Sequence, residues 1–342
     1  MSNISSSLRT FIHTAFSTGN TFSDNSYICY FREEEFLKKQ NKFRSYAFLI
    51  IKEMVDMASK KHPSKLVDEV LHSIFCLGKI TNPEFSPQCI LDDNAMLNEL
   101  KGRYPRPFAL FSSQLPKRSP FSCVLDMIVN LKGQEKENEI GKELRELIQR
   151  LKTKERTALK EDGGTALISS TICVSQRNAA ADSVRYYGVS MSTSGRDPGR
   201  IIVAASCLSN WDSYVADAVV TYYPLKTKKS DFDGTIKLPE QVRCQAFSLS
   251  DGTPMAPCRS CGNLFGLTTS DKQEWAYGNC AEAESLSNLL KNETKMRERV
   301  QQPSNTAANR QKAVNSVRTE LSSCLGRASF QWDNHYYTPQ GN

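Results

Sequence analysis

Nowhere in the 342 residues does an apolar run approach the roughly 20 needed to span a bilayer. Phe48–Ile51 and Ile201–Ala205 are core-sized pieces, so no membrane span is expected. The opening MSNISSSLRTFIHTAF has no continuous apolar stretch of the signal-peptide kind, which argues against secretion. It also has no acidic residue before Asp24 and contains Arg9, features shared by transit peptides and by plain polar starts; the plain start is the simpler reading. Internal repeats and low-complexity tracts are missing, which excludes a solenoid. There is no arginine-rich stripe either. KTKK at Lys226–Lys229 reads as a solvated loop, and a net charge of +7 favours an anionic partner without identifying one.

No disulfide framework is visible among the eleven cysteines. Their number is odd and their spacing from Cys29 to Cys324 irregular, which points to reduced thiols in a cytosolic or nuclear setting. Cys76, Cys123 and Cys173 lie among apolar neighbours and read as small buried hydrophobes.

What is present divides at about residue 160. Residues 1–160 read as a helical region of unassigned role. Phe31–Met57 and the stretch after His62-Pro63 carry helical spacing, with Ser64 as a cap and Leu66, Val67, Val70, Leu71, Ile74 and Phe75 as one stripe. Residues 79–120, with six prolines, read as irregular. A third helix around Glu139–Leu159 presents Leu144, Leu147, Ile148 and Leu151, and Gly163-Gly164 closes the region. Beyond it, Ala166–Val174 and Val184–Thr193 read as an antiparallel strand pair. Tyr214–Tyr223 and Val242–Leu249 are further strand candidates, while Ile201–Trp211 fits strand or helix. Helices are expected over Cys280–Val300, with Leu286, Leu289 and Leu290 inward, and over Thr306–Leu325, with Val314, Val317, Leu321 and Leu325 inward. The fold class is therefore α/β (α+β): a sheet domain over 161–342 preceded by a mostly helical region.

Chemistry concentrates in PMAPCRSCGNLFGL and EWAYGNCAEAESLSNLL. Pro257-Cys258-Arg259-Ser260-Cys261 is a Pro-Cys-x-x-Cys, whose spacing lets two thiols face one metal at a helix start; proline suits the first turn there. A helix N-terminus also favours thiolate, the form that binds metal. Cys280-Ala281-Glu282 opens a second amphipathic helix after Gly278-Asn279 and offers a third thiol. Three protein ligands with a fourth position open describe a catalytic zinc site. Glu282, two residues past a ligand, is placed to take a proton from water there and return it to a leaving amine. On the other side, a closed structural site would recruit Cys244 or His335 as a fourth ligand, although a second Cys-x-x-Cys or Cys-x-x-His is missing. Glu282 and Glu284 also read as first-turn acids that a helix dipole favours. Trp275 and Tyr277 read either as core aromatics or as stacking surfaces for a base, and Asn279 as a substrate contact.

The Pro-Cys-x-x-Cys and Cys-Ala-Glu pair resembles the zinc signature of the cytidine deaminase superfamily. The resemblance covers residues 165–330 in outline, and only the two motifs are specific. It implies a mixed sheet with both metal-binding helices packed on one face, a Zn2+ ion on Cys258, Cys261 and Cys280, and Glu282 as the catalytic proton shuttle. It implies hydrolytic deamination of a base, nucleoside, nucleotide or nucleic acid, with cytosine-type substrates favoured. The rival class is a non-catalytic zinc-stabilised interaction module or decayed deaminase; a toxin- or immunity-related role against nucleic acid would use the same fold. The motif order is reversed relative to the family, in which Cys/His-x-Glu precedes Pro-Cys-x-x-Cys. That reversal leaves the strand pairing open.

Overall fold

The computed structural model describes residues 42–61, 64–158 and 166–340. The opening segment, Cys29, residues 31–41 of the first expected helix, the break at His62-Pro63, Leu159 and the Gly163-Gly164 boundary lie outside them.

The N-terminal region is helical: α1 (Lys42–Lys61), α2 (Ser64–Ile80), α3 (Pro87–Leu91), α4 (Asn94–Arg103), α5 (Pro105–Leu110), α6 (Pro120–Lys132) and α7 (Glu137–Ala158). The expected irregular stretch 79–120 thus contains three short helices. Three of its six prolines start helices instead of breaking them. Pro87, Pro105 and Pro120 each open one, where a missing N–H costs nothing and the fixed φ is already helical. Ser86 and Asp93 cap α3 and α4 with their side-chain oxygens. Leu144, Leu147, Ile148 and Leu151 of α7 are buried together, as their spacing predicts.

The second half supplies β1 (Thr171–Gln176), β2 (Tyr186–Val189), α8 (Arg196–Ser209), α9 (Ser213–Tyr222), β3 (Arg243–Ser248), β4 (Pro254–Met255), α10 (Arg259–Phe265), α11 (Ala281–Asn292), α12 (Thr294–Arg297) and α13 (Ala307–Arg327). The strands form one sheet in the order β2-β1-β3-β4, with every pairing antiparallel. The β1–β2 pair is the expected one, in the register Cys173 opposite Gly188, but both strands are shorter than read. The sheet is not the mixed one that the resemblance implies.

Tyr214–Tyr223 is a helix, not a strand. Asp212 caps α9 through the Tyr214 N–H, and Val215, Ala216, Ala218, Val219 and Val220 are all buried. A short segment buried on every side has no period to distinguish helix from strand. Residues 201–209 likewise belong to a helix, α8. The expected helix from Cys280 to Val300 breaks at Glu293, the cap shared by α11 and α12.

One hydrophobic cluster runs through both halves, joining Phe75, Phe121 and Leu147 to Val219, Leu286 and Leu321. Two polar ties reinforce it. The Glu137 carboxylate at the start of α7 accepts from both terminal nitrogens of Arg243 on β3, each at 2.7 Å, and from Arg185 at 3.2 Å. At the far end, the Tyr337 hydroxyl donates to Asp68 of α2 while its ring stacks on His72 at 3.8 Å.

Hydrogen bonds from Arg243, then its charge and that of Arg185, hold the Glu137 carboxyl below its ordinary value of 4.5. A depressed folded-state pKa contributes stability that is present above the unfolded value and lost as pH falls through the folded one. Urea denaturation should therefore show Glu137→Gln less stable than wild type at pH 7, by about 1–3 kcal/mol. The difference should shrink steadily below pH 4.5.

Candidate metal centre

Position on the sheet begins with one small residue. Gly188 lies in the middle of β2, and α11 runs across β2, β1 and β3 directly above it. A Cβ at Gly188 would collide with the Ser285 nitrogen and come within 2.5 Å of the Ala281 carbonyl oxygen and 2.8 Å of the Glu284 Cβ. Only glycine lets the helix backbone settle this close. The buried carboxylate of Glu284 then accepts the Val189 N–H at 2.9 Å, and the Ser175 and Ser285 hydroxyls meet at 2.9 Å beneath the helix. Leu286, Leu289 and Leu290 fill the core, each worth about 1.5–3 kcal/mol on burial.

The first turn of α11 is thereby fixed, with Cys280 as its N-cap and Glu282 at its second position. Gly278 makes the approach at φ +93°, a left-handed turn that glycine adopts without strain. The Asn279 carbonyl is held by the Met191 N–H at 2.8 Å.

The second helix start comes from the β3–β4 hairpin, which delivers the chain to Pro257. Cys258 is the N-cap of α10 and Cys261 its third residue. Pro257 therefore precedes the cap, whereas the sequence pattern places it in the first turn. Its carbonyl instead accepts the Thr269 hydroxyl. The Arg259 N–H bonds to the Gln273 carbonyl at 2.9 Å and the buried Ser260 hydroxyl to the Trp275 carbonyl at 2.7 Å, so the loop after α10 is clamped over it. α10 packs against α9, whereas the resemblance places both metal-binding helices on the sheet.

Two helix N-termini thus meet. Sγ of Cys258 lies 3.7 Å from that of Cys261 and 3.4 Å from that of Cys280, and all three lie within 4.8 Å of one another. A tetrahedral ion with metal–sulfur bonds of about 2.3 Å, as zinc has, sets its sulfurs about 3.8 Å apart, so the trio is already close to coordination spacing. Among the described residues, this is the group that can hold a metal ion, and it consists of the three thiols alone. The sulfurs also compete for protons. Hydrogen bonding with Cys261 and Cys280 pulls the Cys258 thiol well below the usual thiol range, and the same bonds to Cys258 push Cys261 and Cys280 up.

Glu282 is 5 % exposed. Burial raises its carboxyl pKa above the ordinary value, and the negative charge at Cys258 adds to the rise; its own backbone N–H and the Cys261 side chain act in the opposite sense by hydrogen bonding to it. The carboxyl is thus held against the thiol cluster without belonging to it.

The other sequence candidates fall elsewhere. Cys244 faces Cys173 across β1–β3 at 3.6 Å and accepts from the Ser175 hydroxyl, outside the trio. The imidazole of His335 is 74 % exposed and sits beside Asp333. The Tyr277 ring is buried and stacked on Tyr222 at 4.0 Å, which makes it core, whereas Trp275 is 57 % exposed. Asn279, the residue before Cys280, lines a cleft of about 690 Å³ bounded also by Ser192, Arg196, Arg200 and Lys226. Sequence reasoning missed the supporting role of Glu284, which looks like any first-turn acid, and the docking role of Gly188. An isolated glycine in the strand pattern YYGV was the available signal for the latter.

Two outcomes are expected from this packing. Gly188→Ala should cost about 1–3 kcal/mol in urea denaturation, the usual scale of overpacking. Gly102→Ala, at a helical position with nothing within 4 Å, should stabilise by about 0.5–1 kcal/mol. Mass spectrometry of purified protein should find metal lost from Cys258→Ser, Cys261→Ser and Cys280→Ser and kept by Cys244→Ser. No protein-family model, no curated protein and no solved structure matches this chain.

Proposed function

We propose that the chain is a zinc-dependent hydrolytic deaminase acting on a nucleobase, nucleoside, nucleotide or nucleic acid, with a cytosine-type base favoured. The observation that carries this reading is the buried Glu282 carboxyl set beside three convergent thiols that leave one coordination position without a protein ligand. Cys258, Cys261 and Cys280 would hold the ion. Zinc, when bound, lowers the pKa of a water at its open position towards neutrality. Glu282 would take one proton from the attacking water as its oxygen bonds to the amino-bearing ring carbon, and would return that proton to the amino nitrogen, so that the C–N bond breaks and ammonia leaves. Its burial suits this task, because the charged and neutral forms of the carboxyl come closer in energy than in water.

The reversed motif order does not stand against the chemistry. The Cys258–Cys261 pair and the single Cys280 each sit at a helix start, and a metal responds to where the sulfurs are, not to their order along the chain. The antiparallel sheet, which differs from the one the resemblance implies, favours the rival reading: a module that keeps the metal for folding alone. Glu282→Ala separates the two. In a deaminase it should retain about one zinc per chain while ammonia release from cytidine or deoxycytidine derivatives falls by about 100- to 10,000-fold. Zinc retention with no ammonia released by the wild type from any cytosine- or adenine-containing substrate supports the structural module.

A further inference from the structure

Thiols in mutual contact can do one thing that hydrolytic chemistry does not use: two of them can join. Sγ of Cys258 stands 3.7 Å from Sγ of Cys261 and 3.4 Å from Sγ of Cys280. A disulfide draws its sulfurs to about 2 Å, so the backbone decides which contact can close. Cys258 caps α10 and Cys261 is its third residue, one helical turn further on. Helix geometry places Cα atoms three residues apart about 5 Å from each other, inside the roughly 4.4–6.8 Å that a disulfide spans. That pair closes by side-chain rotation within one turn.

The other sulfur contacts are differently placed. Cys280 caps α11, which Gly188 seats against β2, while Cys258 belongs to a helix held by α9 and the loop over it. A Cys258–Cys280 bridge would tie two separately braced helix starts, and that packing would bear any misfit in it. Cys173 and Cys244 touch at 3.6 Å, but across two strands. Cys173 pairs with Ala246 and Ser175 with Cys244, so the two cysteines are diagonal neighbours. Diagonal positions lie about 7–8 Å apart, beyond the reach of an unstrained disulfide, and the ladder fixes that spacing.

Access points to the same pair. Cys261 is fully buried, whereas Cys258 is 7 % exposed and Cys280 partly so. A small oxidant can therefore reach Cys258, with Cys261 waiting behind it at contact distance. An accessible sulfur with a second thiol set to resolve it is the arrangement of redox-sensing cysteines.

We infer that Cys258 and Cys261 form an oxidation site that hydrogen peroxide closes to a disulfide. The O–O bond breaks as the Cys258 sulfur takes one oxygen as sulfenic acid, and the other oxygen leaves as water with the thiol proton. The Cys261 sulfur then attacks that sulfur. The S–O bond breaks, the S–S bond forms, and the hydroxyl leaves as a second water with the Cys261 proton. The two thiols lose two electrons, and the peroxide is reduced to the two waters. A disulfide sulfur has no anionic charge to offer a metal, so the same step removes two of the centre's three ligands. The site stands on the geometry of the thiols; only the activity it would switch off rests on the deaminase reading.

Zinc-loaded full-length protein, treated with a small excess of hydrogen peroxide, tests this through zinc release to a chromogenic chelator, thiol titration and tryptic mapping. Trypsin cuts after Arg259, which puts Cys258 and Cys261 in separate peptides that only a disulfide joins. About one zinc per chain should leave as about two thiols disappear, and the joined Cys258 and Cys261 peptides should appear together with them. Dithiothreitol should restore both thiols and the capacity to bind zinc. Cys244→Ser, outside the trio, should release zinc at the wild-type rate. Zinc and thiol content that do not change under peroxide overturn the proposal. So does zinc release with Cys258 joined to Cys280, with Cys173 joined to Cys244, or with sulfinic acid and no bridge. If the deaminase reading alone is wrong, no ammonia is released before or after oxidation, yet zinc still leaves and the joined peptides still appear. If the chain takes up no zinc, the same map on the reduced metal-free chain decides: the Cys258–Cys261 bridge supports the site, and its absence overturns it.

Discussion

Van der Waals contact between the backbone of one helix and the backbone of one strand sets the rest of this structure. At Gly188 the two come so close that no side chain fits between them, and the cost of separating them would be a void in the core where interiors are otherwise close-packed. That contact fixes the height and slide of α11, and with them Cys280 and Glu282. Glu284 adds direction, since a buried carboxylate with one backbone donor tolerates little displacement before it is left unsatisfied. The other helix start is fixed from a different quarter, by α9 and the clamped loop over α10. The thiol centre is thus the meeting point of two independently braced elements.

This bracing bears on how the three sulfurs behave. Thiols this close cannot each be indifferent to their neighbours: hydrogen bonding draws Cys258 down towards the charged form and pushes Cys261 and Cys280 up towards keeping their protons. A cation entering the trio displaces those protons, so metal binding and proton release are a single equilibrium. Because folding brings the sulfurs together, the binding free energy feeds back on the stability of α10 and α11. Burial under helix N-termini makes the charged state tolerable, since the dipoles of both helices oppose the cost of placing thiolates there.

Much of the arrangement was legible in the residues. The three cysteines and Glu282 could be picked out because helix starts have a local signature and because Cys-x-x-Cys spacing has a geometric meaning; the structure brings those same residues together. The long helices followed from apolar spacing at Leu144–Leu151 and Val317–Leu325. What failed did so for physical reasons. Proline at a helix start looks like proline in a loop until its position relative to the first N–H is known, so 79–120 read as irregular. The Tyr214–Tyr223 segment is buried all round, and burial on every side erases periodicity. Strand direction is a long-range property, since pairing joins Cys173 to Ala246 across more than seventy residues, and no local pattern reports it. Support residues such as Gly188 and Glu284 act through neighbours distant in sequence, which is why the ligands were visible and the parts that hold them were not.

Sheet connectivity also accounts for the order of the motifs. The β3–β4 hairpin ends at Met255, and the chain must turn there, at the edge of the sheet, which is where Cys258 begins α10. To bring a third thiol to that point the chain returns, after α10 and its clamped loop, to the sheet face, where the first turn of α11 lies over Gly188 of β2, Cys173 of β1 and Ala246 of β3. From there α11 runs along β2 and β1, with Glu284 on the Val189 N–H, Ser285 on Ser175 and Asn288 on the Tyr187 carbonyl, so its N-terminus, and not its middle or end, falls beside α10. Among the described residues no strand follows it; α12 and α13 pack back against the helices instead. Given an antiparallel sheet ending in that hairpin, the paired cysteines come first and the Cys-Ala-Glu turn second. The order of the motifs is a consequence of how the sheet is threaded, while the meeting of two helix starts is what the chemistry requires.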